Sequence, residues 1–367
     1  MTLVQDEAGP APDPDEPPVE SRPVKRHRVP MNPVLARELK DRLRGRRAWI
    51  TITAYLVLLA GIVFLVYKSA SGSGFSPNGD VFAPPSPTRF ATVGRTIFEW
   101  LIMFMLLLVL FLVPGLTSGA VAGERERQTL VPLQVTLLRP WQILIGKLGA
   151  SFAFLALLVV ATTPLLSIAY LIGGVSIGNV LRGVAVVLFT GLVLACTTLF
   201  CSAFFRRVQA ATVAAYGVVL MLTLGTFLIW GAASMLDRSR GTDPSNPPAE
   251  LLLLNPLFTA ADVLGEDTAI TGVDSPFDSM KRVLLQSRSN GGVFQPVGDI
   301  GFPDQGFGTD PNGRPIIGFD QNGNPIFAVD ETGFPYWAKS ALALYGLAVA
   351  GMVLAGRRLR TPSEVER

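Results

Sequence analysis

The chain reads as an all-α polytopic membrane protein. It has six transmembrane helices, an N-terminal amphipathic interfacial helix and a large extracytoplasmic loop between the fifth and sixth spans. Three observations predict this. Apolar stretches run at about residues 49–67, 97–121, 148–172, 184–205, 208–230 and 336–356. Each is near the length a helix needs to cross ~30 Å of hydrocarbon. Charged residues make up only 16% of the 367 and apolar ones 49%, against about 25% charged in a soluble domain. The connections between the stretches alternate between basic and acidic.

That alternation sets the expected topology. Residues Arg22–Arg47 hold ten Lys/Arg and two acids, Glu38 and Asp41. Arg125, Arg127, Arg139 and Lys147 lie between spans two and three, Arg206 and Arg207 between four and five, and Arg357, Arg358 and Arg360 after six. Gly231–Pro335 carries fourteen acids and six bases. The positive-inside rule places both termini in the cytoplasm of a bacterial cell, with the protein integral to its cytoplasmic membrane. The net charge of +3 therefore reflects topology, and no specific nucleic-acid partner is expected.

Residues 1–30 are proline-rich, begin acidic and hold no apolar core. They read as a disordered cytoplasmic tail without a cleavable signal. Asn32 and Pro33 make a helix start, a capping side chain followed by proline at the first helical position. Leu35, Leu39 and Leu43 then form one apolar line flanked by Arg37, Lys40, Arg44 and Arg47. This basic amphipathic helix is expected in the interface, leucines among acyl chains and cations among lipid phosphates. Gly45 loosens the backbone before Trp49, an interfacial anchor, opens span one.

The connection 68–95 is rich in Ser, Gly and Pro and carries no motif. Span two holds Pro114 and Gly115 near its inner end. Span three holds Thr162 and Thr163 before Pro164, whose freed carbonyls the threonine hydroxyls can satisfy. Both sites read either as ordinary helix irregularity or as hinges that move during transport. Glu99, near the outer end of span two, is the deepest carboxylate. A tight turn at 173–179 joins spans three and four. Cys196 and Cys201 in span four read as small packing residues. Arg206 and Arg207 leave almost no loop before span five.

The outer segment 231–335 opens with Leu251–Leu254 and Asn255-Pro256-Leu257-Phe258, a patch too short to span and expected to be interfacial or re-entrant. A period-ten repeat follows, Asn312-Gly313 and Asn322-Gly323, loosely echoed at Thr332-Gly333. Asn-Gly is a strong hairpin-turn signal, so short extended pieces are expected here. Asp310, Asp320 and Asp330 fit no calcium cage. Residues 361–367 form a short cytoplasmic tail.

The chemistry concentrates between spans two and three. Glu124, Arg125, Glu126, Arg127, Gln128, Thr129 and Leu130 crowd the mouth of span two, followed by Pro132, Leu133 and Pro140-Trp141. Pro140 and Trp141 suit the first turn of span three. The segment reads either as a charged loop that sets topology or as a lever for a soluble motor. No catalytic constellation stands out. The single histidine is His27, in the tail, and no metal or cofactor site is expected.

Three stretches resemble motifs of the permease subunits of ABC-2 type ATP-binding-cassette transporters. The first is Asn32, Pro33, Val34, Leu35, Arg37, Glu38 and Leu39. The second is Glu124, Glu126, Thr129 and Leu130, closed by Gly146, Lys147 and Leu148. The third is Asn255–Phe258. One departure is that Thr136 precedes Leu137 where the family has a Thr-Pro pair. The resemblance extends over about Asn32–Arg360. It implies a six-span permease domain over 31–360 that pairs with a second copy or a homologous permease and with a cytoplasmic ABC ATPase subunit. Glu124, Glu126, Arg127, Thr129, Leu130 and Leu133 would couple to that ATPase, and the expected direction is export. The sequence agrees, since it holds no Gly-x-x-x-x-Gly-Lys-Ser/Thr loop; ATP would be bound by the partner. The alternative is a non-transporting membrane scaffold or assembly factor.

Overall fold

Apolar runs of this length must satisfy their backbone polar groups internally, which leaves the helix as the available form. The computed structural model describes residues 35, 38–40, 45–72, 87–128, 140–239, 249–265, 276–288, 316–319, 325–327 and 334–360. Among these, six helical segments are long and apolar enough to cross a membrane. The second and fourth are the most enclosed, and the first is the least.

Span one is α1 (Arg46–Gly72), which starts directly after Gly45 with Ala48 N donating to the Gly45 carbonyl at 3.0 Å. Span two is α2 (Pro87–Thr117) and α3 (Gly119–Glu126), broken at Ser118. Its start corrects the expected loop: the last residues of the 68–95 connection are already helical. Span three is α4 (Pro140–Ala161) and α5 (Thr163–Ile172). Span four is α6 (Ile177–Phe204). Span five is α7 (Val208–Leu220), a π-helical turn at Met221–Gly225, and α8 (Thr226–Ser239).

Between spans five and six lie a 3-10 turn (Ala249–Leu252), α9 (Pro256–Leu264), α10 (Pro276–Arg288) and two strands, β1 (Ile316–Phe319) and β2 (Pro325–Phe327). The strands pair antiparallel, Phe319 opposite Pro325, with an irregularity between Ile316 and Gly318. Their connection carries Asn322-Gly323, which lies outside the described residues. Span six is α11 (Tyr336–Arg360).

The main core gathers Leu101, Ile102, Met105 and Leu106 of α2 with Leu155 and Leu158 of α4 and Leu194 of α6. At one end of the bundle, spans three and four turn at Gly173 and Gly174, with φ of 108° and 79°. A side chain at Gly174 would enter the Ala91 carbonyl, so this left-handed turn rests directly on the first turns of α2. Ser176 caps α6 by accepting from Asn179 N at 3.2 Å. At the other end, α6 and α7 meet across Phe205–Arg207. Here the starts of spans one, three and five meet the ends of two, four and six. This is the basic end of the bundle. Cys196 and Cys201 are buried and free.

Candidate functional site

At the basic end a lysine is buried two turns into an apolar helix. Lys147 of α4 is 2% exposed. A buried ammonium demands partners. Lys147 Nζ donates to Glu38 Oε1 at 2.8 Å and to Glu124 Oε1 at 2.7 Å. Both carboxylates are about a quarter exposed, so the cluster sits where the bundle meets solvent. Glu38 belongs to a helical stretch ahead of span one, where residues 35 and 38–40 are helical. Leu35 of that stretch packs on Gly149, where a β-carbon would stand 3.1 Å from its Cδ1. Three sequence-distant stretches therefore converge on one ammonium.

The second feature is α3. Its helix restarts after Ser118, which strands backbone N–H groups at its first turn. Ser202 Oγ of span four accepts two of them, from Val121 N at 2.9 Å and Ala122 N at 3.1 Å. The break itself is polar. Thr117 and Thr198 hydroxyls are 2.5 Å apart, and those of Ser118 and Thr212 are 3.0 Å apart. Farther along, Arg125 Nη1 donates to the Ala203 carbonyl at 3.3 Å, among the last carbonyls of span four. Glu126 Oε1 accepts from Val208 N at 2.8 Å, capping the first orphan amide of span five. Gln128, at φ 55°, turns the chain out of the helix.

The expected site residues divide as follows. Glu124 meets Lys147, Glu126 meets the start of span five, and Arg127 is exposed beside them. Leu35, Glu38 and Leu39 lie on the stretch ahead of span one. Thr129, Leu130, Leu133, Asn32, Pro33, Arg37 and Leu43 lie outside the described residues. Pro140 opens α4, as expected.

Pro114 stands inside α2, and the helix breaks one turn later, where Ser118 N donates to the Pro114 carbonyl at 2.9 Å. Gly115 faces Tyr216, whose hydroxyl donates to the Phe111 carbonyl at 2.9 Å. Pro164 follows a break at Thr162. The Thr162 hydroxyl donates to the Val159 carbonyl at 2.7 Å and the Leu158 carbonyl at 3.1 Å. These are the carbonyls preceding Val160, the one Pro164 leaves without an amide.

At the opposite end, α9 folds back against α6 and α11. Asn255 is 1% exposed. Its Oδ1 accepts from Leu257 N at 3.0 Å, and its Nδ2 donates to the Thr223 carbonyl at 2.8 Å and Thr226 Oγ1 at 3.0 Å. The π-helical turn of span five opens its ladder at this point, and the amide of Asn255 occupies the opening. Thr259 and Ser340 hydroxyls meet at 2.5 Å, and Asp262 Oδ2 caps Trp337 N at 2.8 Å. Glu99 is buried and accepts from Arg95 Nε at 2.8 Å; Arg95 also stands 3.6 Å from Asp278 of α10.

The sequence singles out Glu38 in one motif and Glu124 with Lys147 at the two ends of another, without joining the three. The apolar run of span three is read from residue 148, just past Lys147, but the helix that Pro140 opens already contains that lysine. One signal could have joined them: a lone cation inside an apolar helix requires carboxylates nearby. Ser202 and Thr223 gave no such signal. Among the described residues no group of three or more His, Cys, Asp or Glu is placed to hold a metal ion.

A family model described as ABC-2 family transporter protein matches residues 32–259. The match opens at the Asn32-Pro33 pair and closes one residue after Phe258, short of the Arg360 limit read from the sequence. No curated protein matches the chain.

Proposed function

This chain belongs to the ABC-2 family of transporter proteins and is a polytopic membrane permease, and on that premise we propose that its basic end receives the stroke of a separate cytoplasmic ATPase. In this reading the basic end faces the cytoplasm. A second copy of the chain, or a homologous permease, completes the translocation path, and transport runs outward.

One observation carries the proposal. The short charged helix α3 lies beyond a break in span two, and its polar atoms hold span four through Ser202, span five through Val208 and span three through Lys147. A push delivered at Glu124–Arg127 reaches three spans through hydrogen bonds. The stretch carrying Thr129, Leu130 and Leu133 continues α3 in sequence and supplies the remaining contact surface. The breaks at Ser118 and Thr162, beside Pro114, Gly115 and Pro164, are the hinges. The chain itself offers no phosphate-binding loop, so hydrolysis belongs to the partner.

Affinity purification in mild detergent tests this. The chain should bring down a P-loop ATPase and a second permease copy, with ATP turnover only when the ATPase is present. Isolation without any nucleotide-binding partner after gentle extraction would instead favour a membrane scaffold. Orientation is tested by cysteine labelling in a Cys196→Ser, Cys201→Ser background. Gly45→Cys should label from the cytoplasm and Gly313→Cys from outside; labelling of both from one side would overturn the topology.

A further inference from the structure

We propose that Lys147 is a positioning residue that locks the stretch ahead of span one, the start of span three and the terminal helix of span two into a single lever. The proposal rests on the permease reading above and names the residue through which that coupling passes.

Lysine offers three donors and no acceptor, and at 2% exposure water cannot replace a lost partner. Glu38 and Glu124 each contribute one oxygen, at 2.8 and 2.7 Å. Removing either carboxylate from Lys147 would leave a buried charge half-compensated, which is strongly unfavourable. The two carboxylates are equally bound to the cation, because without it they would face each other as like charges. The three groups are thus stable together and unstable apart.

What they join makes this mechanical. Glu38 brings the stretch ahead of span one, which also rests on Gly149 through Leu35. Glu124 brings α3, which Ser118 separates from the body of span two and which Ser202 and Val208 tie to spans four and five. Lys147 lies between them on span three. A displacement of α3 therefore carries the preceding stretch with it, and the reverse. Charge also suits a joint of this kind. The lysine and glutamate side chains are long and jointed, so the pairs can persist while the helices tilt.

A structural role and a lever role part company in one variant. Lys147→Met alone removes the cation from between two carboxylates and is expected to fold poorly. The triple variant Glu38→Met, Glu124→Met, Lys147→Met removes all three charges at similar volume, and replacing a buried ion cluster by apolar residues in this way is commonly neutral or stabilising. Two readouts are taken in a Cys196→Ser, Cys201→Ser background. The first uses spin labels at Lys40→Cys and Ile145→Cys, both exposed positions. They report the distance between the preceding stretch and span three in the permease alone. The second is ATP turnover of the purified complex relative to the isolated ATPase.

The expected result is a narrow distance distribution with the native triad and a broad one in the triple variant. Stimulation by the permease, read at saturating ATPase, should fall about tenfold in that variant, within the usual range of coupling between linked sites. An equally narrow distribution in the triple variant, or full stimulation despite the missing charges, would overturn the lever. Failure of the native permease to retain any ATPase would overturn the permease–motor reading, and that is visible before any variant is compared.

Discussion

The two ends of the bundle fasten a short helix by different chemistry. At the basic end charged side chains hold α3 beside the Ser202 hydroxyl: Glu124 to Lys147, Glu126 to an amide and Arg125 to a carbonyl. At the opposite end α9 is held by the neutral amide of Asn255, wedged into the π-helical turn of span five. The carboxamide has a short reach, and its partners are the backbone of span five and a side chain of the same turn. The groups at the basic end stand on long side chains near solvent. The carboxamide wedge fixes a helix in place, whereas the charged braces let helices tilt without losing their bonds. The opposite end has charged groups too: Asp262 of α9 caps Trp337 N of span six at 2.8 Å, while the close ion pair there, Arg95 with Glu99, lies within one helix. Its contact to α10, at 3.6 Å through Asp278, is looser.

The largest effect should come from cutting the charged joint on one side. Lys147→Ala leaves Glu38 and Glu124 facing each other and should cost about 3–5 kcal/mol, the range for a buried pair missing one partner. Thermal unfolding in detergent reads this, and the triple neutral variant should recover most of the loss. If the single and triple variants were equally stable, the charge would contribute little at this end.

Next comes the neutral wedge. Asn255→Leu removes the cap on Leu257 N, worth ~1 kcal/mol. It also takes the amide donor from the Thr223 carbonyl, which keeps the Thr226 hydroxyl at 3.1 Å, a loss of ~1 kcal/mol. The same unfolding assay should show a drop of roughly 2 kcal/mol from these two losses. ATP turnover of the surviving complex should be near normal, since this joint is an anchor. Loss of coupling with unchanged stability would invert the comparison.

A smaller change is expected at the span-five cap. Glu126→Ala should cost ~1 kcal/mol for the lost acceptor at Val208 N. Glu126→Gln, which keeps an acceptor, should stay within a few tenths of native. Equal behaviour of both variants would remove Glu126 from the set of braces.

The smallest effect is expected from salt. Raising ionic strength shortens the Debye length to ~3 Å at 1 M, so the stability contributed by the partly exposed carboxylates should soften slightly. The Asn255 wedge should not respond, and the difference between Asn255→Leu and the parent should be constant across salt.

Much of the fold was legible because membrane helices are written as composition. All six spans, the start of span three at Pro140, the tight turn after Phe204 and the short helix at Pro256 follow from apolar length, proline position and turn residues. The start of span two was not legible, because residues 87–95 look like loop in composition, whereas they are helical and packed against the glycine turn at Gly173–Gly174. The site was legible only in pieces. Glu38, Glu124 and Lys147 stood in motifs separated by the chain, and sequence spacing says nothing about which ends of three helices meet. The π-helical turn gave no compositional sign, since Met221–Gly225 is as apolar as its flanks.

The central claim is that a motor engages the basic end, and photocrosslinking tests it most directly. A photoreactive residue replaces Arg127, exposed at the end of α3, or Trp337, exposed at the start of span six at the opposite end. The permease is then crosslinked in membranes and the joined peptides are identified by mass spectrometry. The account predicts a P-loop ATPase joined at position 127 and none at position 337. An ATPase joined at position 337, or at neither, would contradict it.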